Sequence, residues 1–305
     1  MARVTGRPEV LAIGETMVLV APADAEALES AVDFRLDPGG AEANVASHLA
    51  ALGHSAAWIG AVGDDALGRR LCAQLAARGV DVSYVPIDPE APTGLYVKDP
   101  GAGVLYYRRG SAASRMNETL LERMPSLRDV RLVHLTGITP ALSVGCQKLV
   151  DAIFHDAGTF GTLVSFDVNH RPALWPPGVA PNRLRALADQ AYVVFVGQDE
   201  AEALWGATSP EAVRALLPNP AYVVIKDGAV GATEIGVDGR WHEPAPSVTV
   251  VEAIGAGDAF AGGYLAALLD GEEDAAVRLR RGHERAGIVL RMTSDFPRDQ
   301  HSEVR

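Results

Sequence analysis

Short apolar runs recur along the chain and are separated by longer stretches in which the apolar residues have helical spacing. The runs are Val10 to Ile13, Leu132 to Leu135, Leu163 to Phe166, Tyr192 to Val196 and Tyr222 to Ile225. Continuous apolar strands are typical of a parallel sheet that helices cover on both faces. The pattern therefore predicts an α/β fold with a mostly parallel central sheet.

Polar residues follow several of these runs at the points where the strands should end. They are Thr136, Thr139, Asp167, Asn169, Arg171, Glu200, Lys226 and Asp227. The carboxyl ends of parallel strands meet at one edge of the sheet, where open α/β folds form their ligand crevice. The pattern predicts a binding site at this edge.

Two segments break the alternation of strand and helix. Residues 16–36 and 91–111 have strand-like patterns with turns, and Gly101-Ala102-Gly103 is typical of a hairpin. These segments predict a small β unit beside the central sheet.

A glycine turn leads into an apolar helix at Gly255-Ala256-Gly257-Asp258. Glycines let backbone N–H groups approach a phosphate, and the first turn of a helix leaves its N–H groups unpaired with a partial positive charge. The carboxylate of Asp258 would repel an anion, so it fits a base or an orienting group for an attacking hydroxyl. The turn favours phosphoryl transfer, and the alternative is that Asp258 is an ordinary capping residue.

Other phosphoryl-transfer motifs are missing from the sequence. The few lysines do not follow a GxxxxG spacing, which excludes a P-loop. The pair His170-Arg171 lacks the following aspartate of a protein-kinase catalytic loop. The glycine turn at Asp258 is therefore the candidate centre.

The composition narrows the choice of partner and compartment. The net charge is -12 at pH 7 and no run of basic residues occurs, which disfavours nucleic acid as a partner. The two cysteines have no CxxC spacing, which argues against a disulfide framework or a structural zinc site. The longest uncharged segment, Leu132 to Gln147, is too short to span a membrane, and the amino terminus lacks a signal-peptide pattern. We expect a cytoplasmic protein with no membrane partner.

A second motif runs from Gly39 to Ala46 and continues through Gly60 to Gly68. Together with the glycine turn at Asp258, it resembles the two signatures of the PfkB sugar kinases, the ribokinase-like family. The likeness extends from about Val10 to Asp295 and implies a homo-oligomer, because the family's β lid often contributes to a dimer interface. It also implies a three-layer α/β/α catalytic domain, formed by residues 1–15, 37–90 and 112–305. Residues 16–36 and 91–111 would form a β lid over the sugar.

The resemblance assigns roles at the glycine turn and on the nucleotide side. Asp258 would be the base for a sugar hydroxyl, and the backbone amides of Gly255, Ala256 and Gly257 would form the anion hole. The nucleotide would be Mg-ATP, bound near Lys226, Gly228 and Gly231, with His283 on the purine side. From the sequence alone, the two glycines at 228 and 231 fit a plain turn between strands equally well.

Three positions depart from the family pattern. Gly197 stands where an asparagine usually orders the magnesium waters, so only Glu200 of that motif is kept for a water-mediated magnesium contact. Glu252 replaces an aspartate that is linked to a monovalent cation such as potassium. His283 replaces an asparagine on the purine side. Magnesium geometry, potassium binding and adenine contacts are therefore the points at which this chain differs from the family.

Three strings resemble the 2-keto-3-deoxygluconate kinases within this family. They are Tyr106 to Ala112, Leu135 to Ser143, and Asp167 to Arg171 followed by Leu174-Trp175. The third string is shared with fructokinases. By this resemblance the sugar-acid pocket contains Gly40, Asn44, Tyr96, Tyr106, Arg108, Ile138 and Arg171.

The charge of the substrate agrees with two of these residues, Arg108 and Arg171. A planar carboxylate favours guanidinium groups, and an acidic protein needs local positive charge to hold an anion. We therefore expect ATP-dependent phosphorylation of the terminal C6 hydroxyl of 2-keto-3-deoxygluconate. A fructokinase or another ketose kinase is the alternative, and a non-catalytic sugar-sensing protein is a third. Without the resemblance, Arg108 and its neighbour Arg109 would fit a solvated surface pair.

Overall fold

The computed structural model describes residues 7–24, 26–292 and 296–297. The strands are β1 Val10–Ile13, β2 Met17–Pro22, β3 Phe34–Gly39, β4 Ala56–Ile59, β5 Val62–Gly63, β6 Ile87–Asp88, β7 Leu95–Asp99, β8 Gly103–Tyr107, β9 Leu132–Thr136, β10 Leu163–Asp167, β11 Val193–Gly197, β12 Tyr222–Asp227, β13 Gly231–Gly236 and β14 Gly239–Pro244. The α-helices are α1 Ala41–Ala51, α2 Ala66–Ala77, α3 Thr139–Leu142, α4 Val144–Phe160, α5 Ala180–Ala188, α6 Gln198–Trp205, α7 Pro210–Leu216, α8 Ala256–Leu269 and α9 Ala275–Val289. Short 3-10 helices span Ala113–Arg115, Glu118–Glu122, Leu127–Asp129 and Pro172–Leu174.

In this part of the chain the central sheet has eight strands in the order β14-β13-β12-β11-β10-β9-β1-β4. The strands from β12 to β4 are parallel, and β13 and β14 add an antiparallel edge. Successive residues of β1 face opposite layers, since Leu11 and Ile13 lie in one buried apolar cluster and Val10 and Ala12 in the other. The predicted mostly parallel sheet with helices on both sides is confirmed.

The apolar runs correctly locate the central strands, but several strands extend past the last apolar residue. The strand β10 continues to Asp167, which pairs with Thr136 of β9. In the same way Gly197 of β11 pairs with Lys226 of β12. Backbone pairing does not require apolar side chains, so polar residues can form the last pairs of these strands. Their side chains therefore lie at the edge formed by the carboxyl ends of the strands.

A small sheet with the strand order β3-β2-β7-β8 lies beside the central one. The hairpin predicted at Gly101 to Gly103 is confirmed, because Asp99 pairs with Gly103 across the turn. The strand β3 runs on to Gly39 because it pairs with β2 as far as Met17. It thus crosses the limit at residue 36 expected for the lid, and the division into catalytic domain and lid itself stays a prediction.

Close packing fixes the position of the helix α8. A Cβ added at Gly262 would lie 2.6 Å from the Cβ of His48 on α1, and one added at Gly263 would overlap the carbonyl oxygen of Arg281 on α9. The two glycines therefore let three helices approach closely, at a local cost of about 1 kcal/mol each in helix propensity.

A buried ion pair holds the same helix to the edge of the sheet. The hydroxyl of Tyr264 donates to Glu234 Oε2 at 2.7 Å, and the Arg278 guanidinium of α9 pairs with the same carboxylate. Both charged side chains are nearly inaccessible to solvent, so each requires the other. No helix in the described ranges is long and apolar enough to cross a membrane.

Candidate active site

The glycine turn before α8 has the conformation that the sequence predicts. Gly255 caps the helix with a φ of 80°, a left-handed value that favours glycine. Asp258 lies in the first turn of α8. The N–H groups of a first helical turn point away from the helix along its axis, so Gly255, Ala256 and Gly257 present their backbone to the same space that Asp258 borders.

Asp258 is held by a residue from the other end of the chain. Asn44 Nδ2 donates to Asp258 Oδ2 at 2.9 Å, across a separation of 214 residues. Asn44 lies on α1 and is almost fully buried. Its Oδ1 has no hydrogen-bond partner among the described residues, although it is buried. The two signature motifs therefore meet at this bond, which orients the carboxylate and leaves an acceptor for a ligand hydroxyl.

Glycines 39 and 40 are needed because other parts of the site approach them closely. A Cβ at Gly40 would lie 2.5 Å from the carbonyl oxygen of Glu15, and one at Gly39 would overlap the hydroxyl of Tyr96. The hydroxyl oxygen of Thr16, next to Gly40, is also buried without a partner in the described part of the chain. The start of α1, the β1–β2 connection and the small sheet thus converge at one point.

Arg108 is anchored by a buried carboxylate that the sequence analysis did not identify. The Arg108 guanidinium pairs with Glu15, whose side chain is inaccessible to solvent. Burial raises the pKa of Glu15, while the guanidinium opposes this shift. Arg108 Nε is buried and has no partner in the ranges described. One edge of the guanidinium is therefore fixed by Glu15, and Nε keeps a donor available for a ligand.

Two aromatic rings accompany this guanidinium. Tyr106 lies 5.4 Å from the Arg108 guanidinium carbon, and its ring stacks on that of Tyr96 with the centroids 5.8 Å apart. Tyr106 is 52% exposed, whereas Tyr96 is buried. The cation and the two rings form one wall on the small sheet, as expected for cation–π packing.

The remaining predicted pocket residues lie on loops of the central sheet. Arg171 is exposed and its Nη1 donates to the carbonyl oxygen of His170 at 3.1 Å. Ile138 is half-buried, and its backbone N–H donates to Thr136 Oγ1 at 3.1 Å. Asn169, just before this arginine loop, has a φ of 38°, which is strained for most side chains but tolerated by asparagine. Arg108 and Arg171 therefore belong to different elements.

Lys226 lies against the glycine turn and pairs with Asp167. Its Nζ is 2.7 Å from Asp167 Oδ2 and 3.5 Å from where a Cβ on Gly257 would be. Burial alone would lower the pKa of Lys226, but the carboxylates of Asp167 and Glu200 outweigh it and raise the pKa. The ammonium therefore remains charged beside the backbone that the sequence predicts to bind phosphate.

Glu200 is held by backbone groups near this pair. Its Oε1 accepts the N–H of His170 at 2.8 Å, and its Oε2 accepts the N–H of Gly197 at 2.9 Å. Burial raises the pKa of Glu200, and the charge of Asp167 adds to this effect. Gly197 thus contributes a backbone donor at the position where a side-chain amide was expected.

The acidic residues fit a magnesium ion that is bound mainly through water. Asp167 Oδ1 is buried without a partner in the described ranges, and Asp167 acts electrostatically on Glu200. Magnesium usually keeps several waters and takes one or two carboxylates together with substrate phosphates. Within the described residues no three metal-ligating side chains lie together.

The carboxylate of Glu252 is already paired with a cation. Lys98 Nζ on β7 lies 2.5 Å from Glu252 Oε1. Monovalent cation binding near Glu252 stays a prediction.

The predicted nucleotide residues are arranged around the edge of the sheet. Gly228 and Gly231, with φ values of 47° and 142°, form the turn between β12 and β13, as the plain-turn interpretation expects. His283 Nε2 donates to the carbonyl oxygen of Glu243 at 3.1 Å, and its ring packs edge-on against Phe260. The His283 ring is buried in these contacts. Nucleotide contacts by all three residues stay predictions.

A second functional candidate missed by the sequence analysis is Glu42, which is fully buried on α1. Its Oε1 accepts the hydroxyls of Thr136 and Thr139 at 2.8 and 2.9 Å, and its Oε2 has no partner in the described part. Burial raises the pKa of Glu42 to about 7. It ties the helix that carries Asn44 to the loop that carries Ile138. Its neighbours Ala41 and Ala43 are small and buried. The lack of other polar residues directly beside Glu42 was the signal from which its burial could have been predicted.

Comparison with known proteins identifies the family to which this geometry belongs. The sequence pattern of the pfkB family carbohydrate kinases matches residues 7–295. The chain belongs to this family. It is therefore a phosphotransferase, in agreement with the expectation from the glycine turn at Asp258.

Relatives of this kinase include enzymes for sugar acids and for a neutral sugar. The 2-dehydro-3-deoxygluconokinase of Bacillus subtilis is 35% identical over 86% of this chain and 84% of its own length. The 2-dehydro-3-deoxygalactonokinase of Haloferax volcanii is 31% identical over 87% and 85%. Fructokinase-1 of Oryza sativa is 33% identical over 85% and 83%.

A solved structure shares the fold of this kinase and was determined with ligands. It is the aminoimidazole riboside kinase of Salmonella enterica, complexed with aminoimidazole riboside and an ATP analogue. The TM-score is 0.81 at 27% identity, and the match covers 94% of each chain.

Proposed function

We propose that this enzyme transfers the γ-phosphoryl group of ATP to the C6 hydroxyl of 2-keto-3-deoxygluconate, forming the 6-phospho product. The observation that carries the substrate assignment is the Arg108 guanidinium, which a buried Glu15 fixes in the wall of the small sheet. A fixed guanidinium with a donor left over suits a carboxylate, and a neutral sugar has no group that requires it. The relatives named for 2-dehydro-3-deoxygluconate and 2-dehydro-3-deoxygalactonate support the same substrate class.

In this proposal Asp258 aligns the sugar hydroxyl and accepts its proton late in the transfer. Asn44 holds the carboxylate in one orientation through its bond to Oδ2. The backbone N–H groups of Gly255, Ala256 and Gly257 hold the negative charge on the transferring group. The Lys226 ammonium beside Gly257 adds a full positive charge at this point. Positioning and electrostatics therefore supply most of the catalysis, as is usual for phosphoryl transfer.

The proposal assigns ATP and magnesium to the side of the site formed by β10, β11 and β12. Glu200 and Asp167 would hold magnesium through water, and the bound ion would neutralise charge on the phosphates. Gly228 and Gly231 would approach the phosphates, and His283 would border the purine. Potassium binding near Glu252, which Lys98 contacts, stays a prediction. Assembly into a homo-oligomer through the small sheet stays a prediction.

A fructokinase is the second candidate, and a relative at 33% identity favours it. The decisive experiment is an assay of ADP release with 2-keto-3-deoxygluconate, its C4 epimer, fructose, ribose and adenosine as acceptors. We expect the highest kcat/KM for one of the two sugar acids, with 2-keto-3-deoxygluconate first. A higher kcat/KM for fructose than for both acids would refute the proposed substrate while leaving the kinase family intact.

A further inference from the structure

A lysine lies on the buried face of the small sheet. Tyr96 and Lys98 are two residues apart on β7, and so they point to the same face. On this face Tyr96 packs with the apolar side chains of Met17, Leu19 and Ala21. Lys98 itself is only 9% exposed. A lysine is rarely buried to this extent without a charged partner.

One partner of Lys98 is Glu252, which lies far away in the sequence. Their 2.5 Å contact joins β7 to the segment between β14 and α8, across 154 residues. Glu252 precedes Gly255 by three residues and Asp258 by six. The ion pair therefore connects the small sheet, where Arg108 and the two tyrosines lie, to the segment that leads directly into the Gly255 turn.

The segment containing Glu252 has little other structure to fix it. Residues 245–255 form no helix or strand. Val250, Val251 and Ile254 are exposed apolar residues. The backbone N–H groups of Val251 and Glu252 both donate to the carbonyl oxygen of Leu290, at 2.7 and 3.4 Å. The Lys98 ammonium thus adds a side-chain attachment to this backbone attachment.

We propose that Lys98 and Glu252 form a latch by which the small sheet, when it lies over the sugar, sets the position of the Gly255 turn and of Asp258. Lys98 is a positioning residue in this role, because it acts through Glu252. The proposal rests on the proposed kinase function but on neither choice of sugar.

The physical basis of the latch is the cost of separating the pair. Two charges that are partly removed from water stabilise the contact while they remain together, and either charge is destabilising if it stays in this position without its partner. Movement of the small sheet would therefore release the segment before α8. A displacement of the catalytic group by about 1 Å can lower a rate about 100-fold, so the latch should affect turnover more than sugar affinity.

The test uses Lys98→Met, Glu252→Gln and the double variant, together with Lys98→Arg. Lys148 is an exposed lysine on α4, and Lys148→Met is the matched control. Three quantities are measured for each protein: kcat and KM for the best acceptor of the wild-type enzyme, and hydrogen exchange of residues 245–257 without ligand. The exchange measurement does not depend on which acceptor the enzyme uses.

We expect each single neutral variant to lower kcat about 10-fold to 100-fold with a much smaller change in KM. The double variant should be no slower than the worse single variant, because both remove the same contact. Lys98→Arg should recover most of kcat, and the neutral variants should speed exchange in residues 245–257.

The latch would be refuted if the losses in kcat of the two single variants multiply in the double variant. It would also be refuted if Lys98→Met leaves hydrogen exchange of residues 245–257 unchanged. A wild-type enzyme that prefers a neutral sugar would refute the sugar-acid assignment alone, since the latch is judged by comparing the variants with that wild type.

Discussion

The helix α8 and the small sheet meet at the same site but are held in place by different forces. Helix α8 is fixed by close packing, with Gly262 and Gly263 against neighbouring helices and Tyr264 bound to a buried ion pair. The small sheet is connected to the site by charge pairs, Arg108 with Glu15 and Lys98 with Glu252. Packing allows few alternative positions, whereas an ion pair can open and reform. The proposed base therefore lies on an element held mainly by packing, and the proposed substrate wall lies on one that charge pairs connect to the site.

The largest effect should come from removing the proposed base on α8. Asp258→Asn should lower kcat about 100-fold to 10,000-fold, because the hydroxyl loses its proton acceptor. Asn44 can still hold the variant side chain, so thermal unfolding and sugar binding should change little. Steady-state kinetics and calorimetry measure both quantities. The control is Asp238→Asn, which removes an exposed charge in the β13–β14 turn, and near wild-type turnover in Asp258→Asn would refute the assignment.

Glu42 lies on α1, which packs against α8, and it tests how a buried carboxyl group changes the free energy of unfolding. Burial raises its pKa from 4.5 to about 7 in the folded protein. As the pH rises between these values, the unfolded chain loses this proton first, so Glu42 lowers the free energy of unfolding by about 3 kcal/mol over that window. Glu42→Gln keeps Oε1 as an acceptor and removes the titration.

The measurement for Glu42 is urea unfolding at pH 5 and pH 8. Between these two conditions the free energy of unfolding of Glu42→Gln should fall less than that of the wild type, by the amount given above. Glu118→Gln, at an exposed position, should show the wild-type pH dependence. If Glu42→Gln shows it as well, the carboxyl is ionised throughout and its pKa is not raised.

Arg108 tests the charged side of the comparison. Charge-assisted hydrogen bonds contribute about 1.5–3 kcal/mol each, so Arg108→Ala should raise the KM for the sugar acid about 10-fold to 150-fold. It should also lower stability, because Glu15 loses its partner in a buried position. Adding Glu15→Gln should restore stability but leave the KM high. Arg109→Ala, at an exposed neighbour, is the matched control.

The acceptor comparison decides how Arg108 acts. Fructose has no carboxylate, so residual fructose activity of Arg108→Ala/Glu15→Gln should stay near that of the wild type. Equal losses with the acid and with fructose would show that Arg108 supports the small sheet and does not recognise the substrate.

The smallest effect is expected at Glu200. Glu200→Gln keeps one oxygen acceptor but loses the charge that would hold magnesium through water, so the magnesium concentration for half-maximal rate should rise severalfold. Glu202→Gln on the exposed face of α6 is the control. An unchanged magnesium titration in Glu200→Gln would remove this residue from the metal site.

The same division explains what the sequence could predict. The strand β1 and the turn at Gly255 follow from local patterns, since apolar runs and glycine turns are determined over a few residues. Asn44 and Asp258 were both identified by motif, although their direct bond was not. Glu15 and Lys98 were missed because their burial depends on partners 93 and 154 residues away, which no local pattern indicates.

The proposed reaction is tested most directly by the structure of its product. Purified enzyme, ATP, magnesium and 2-keto-3-deoxygluconate are incubated together, and the product is examined by phosphorus–proton correlation NMR. We predict one new phosphorus signal coupled to the C6 methylene protons of the sugar acid, together with one equivalent of ADP. No phosphorylated acid, in a preparation that readily phosphorylates fructose, would contradict the proposed function.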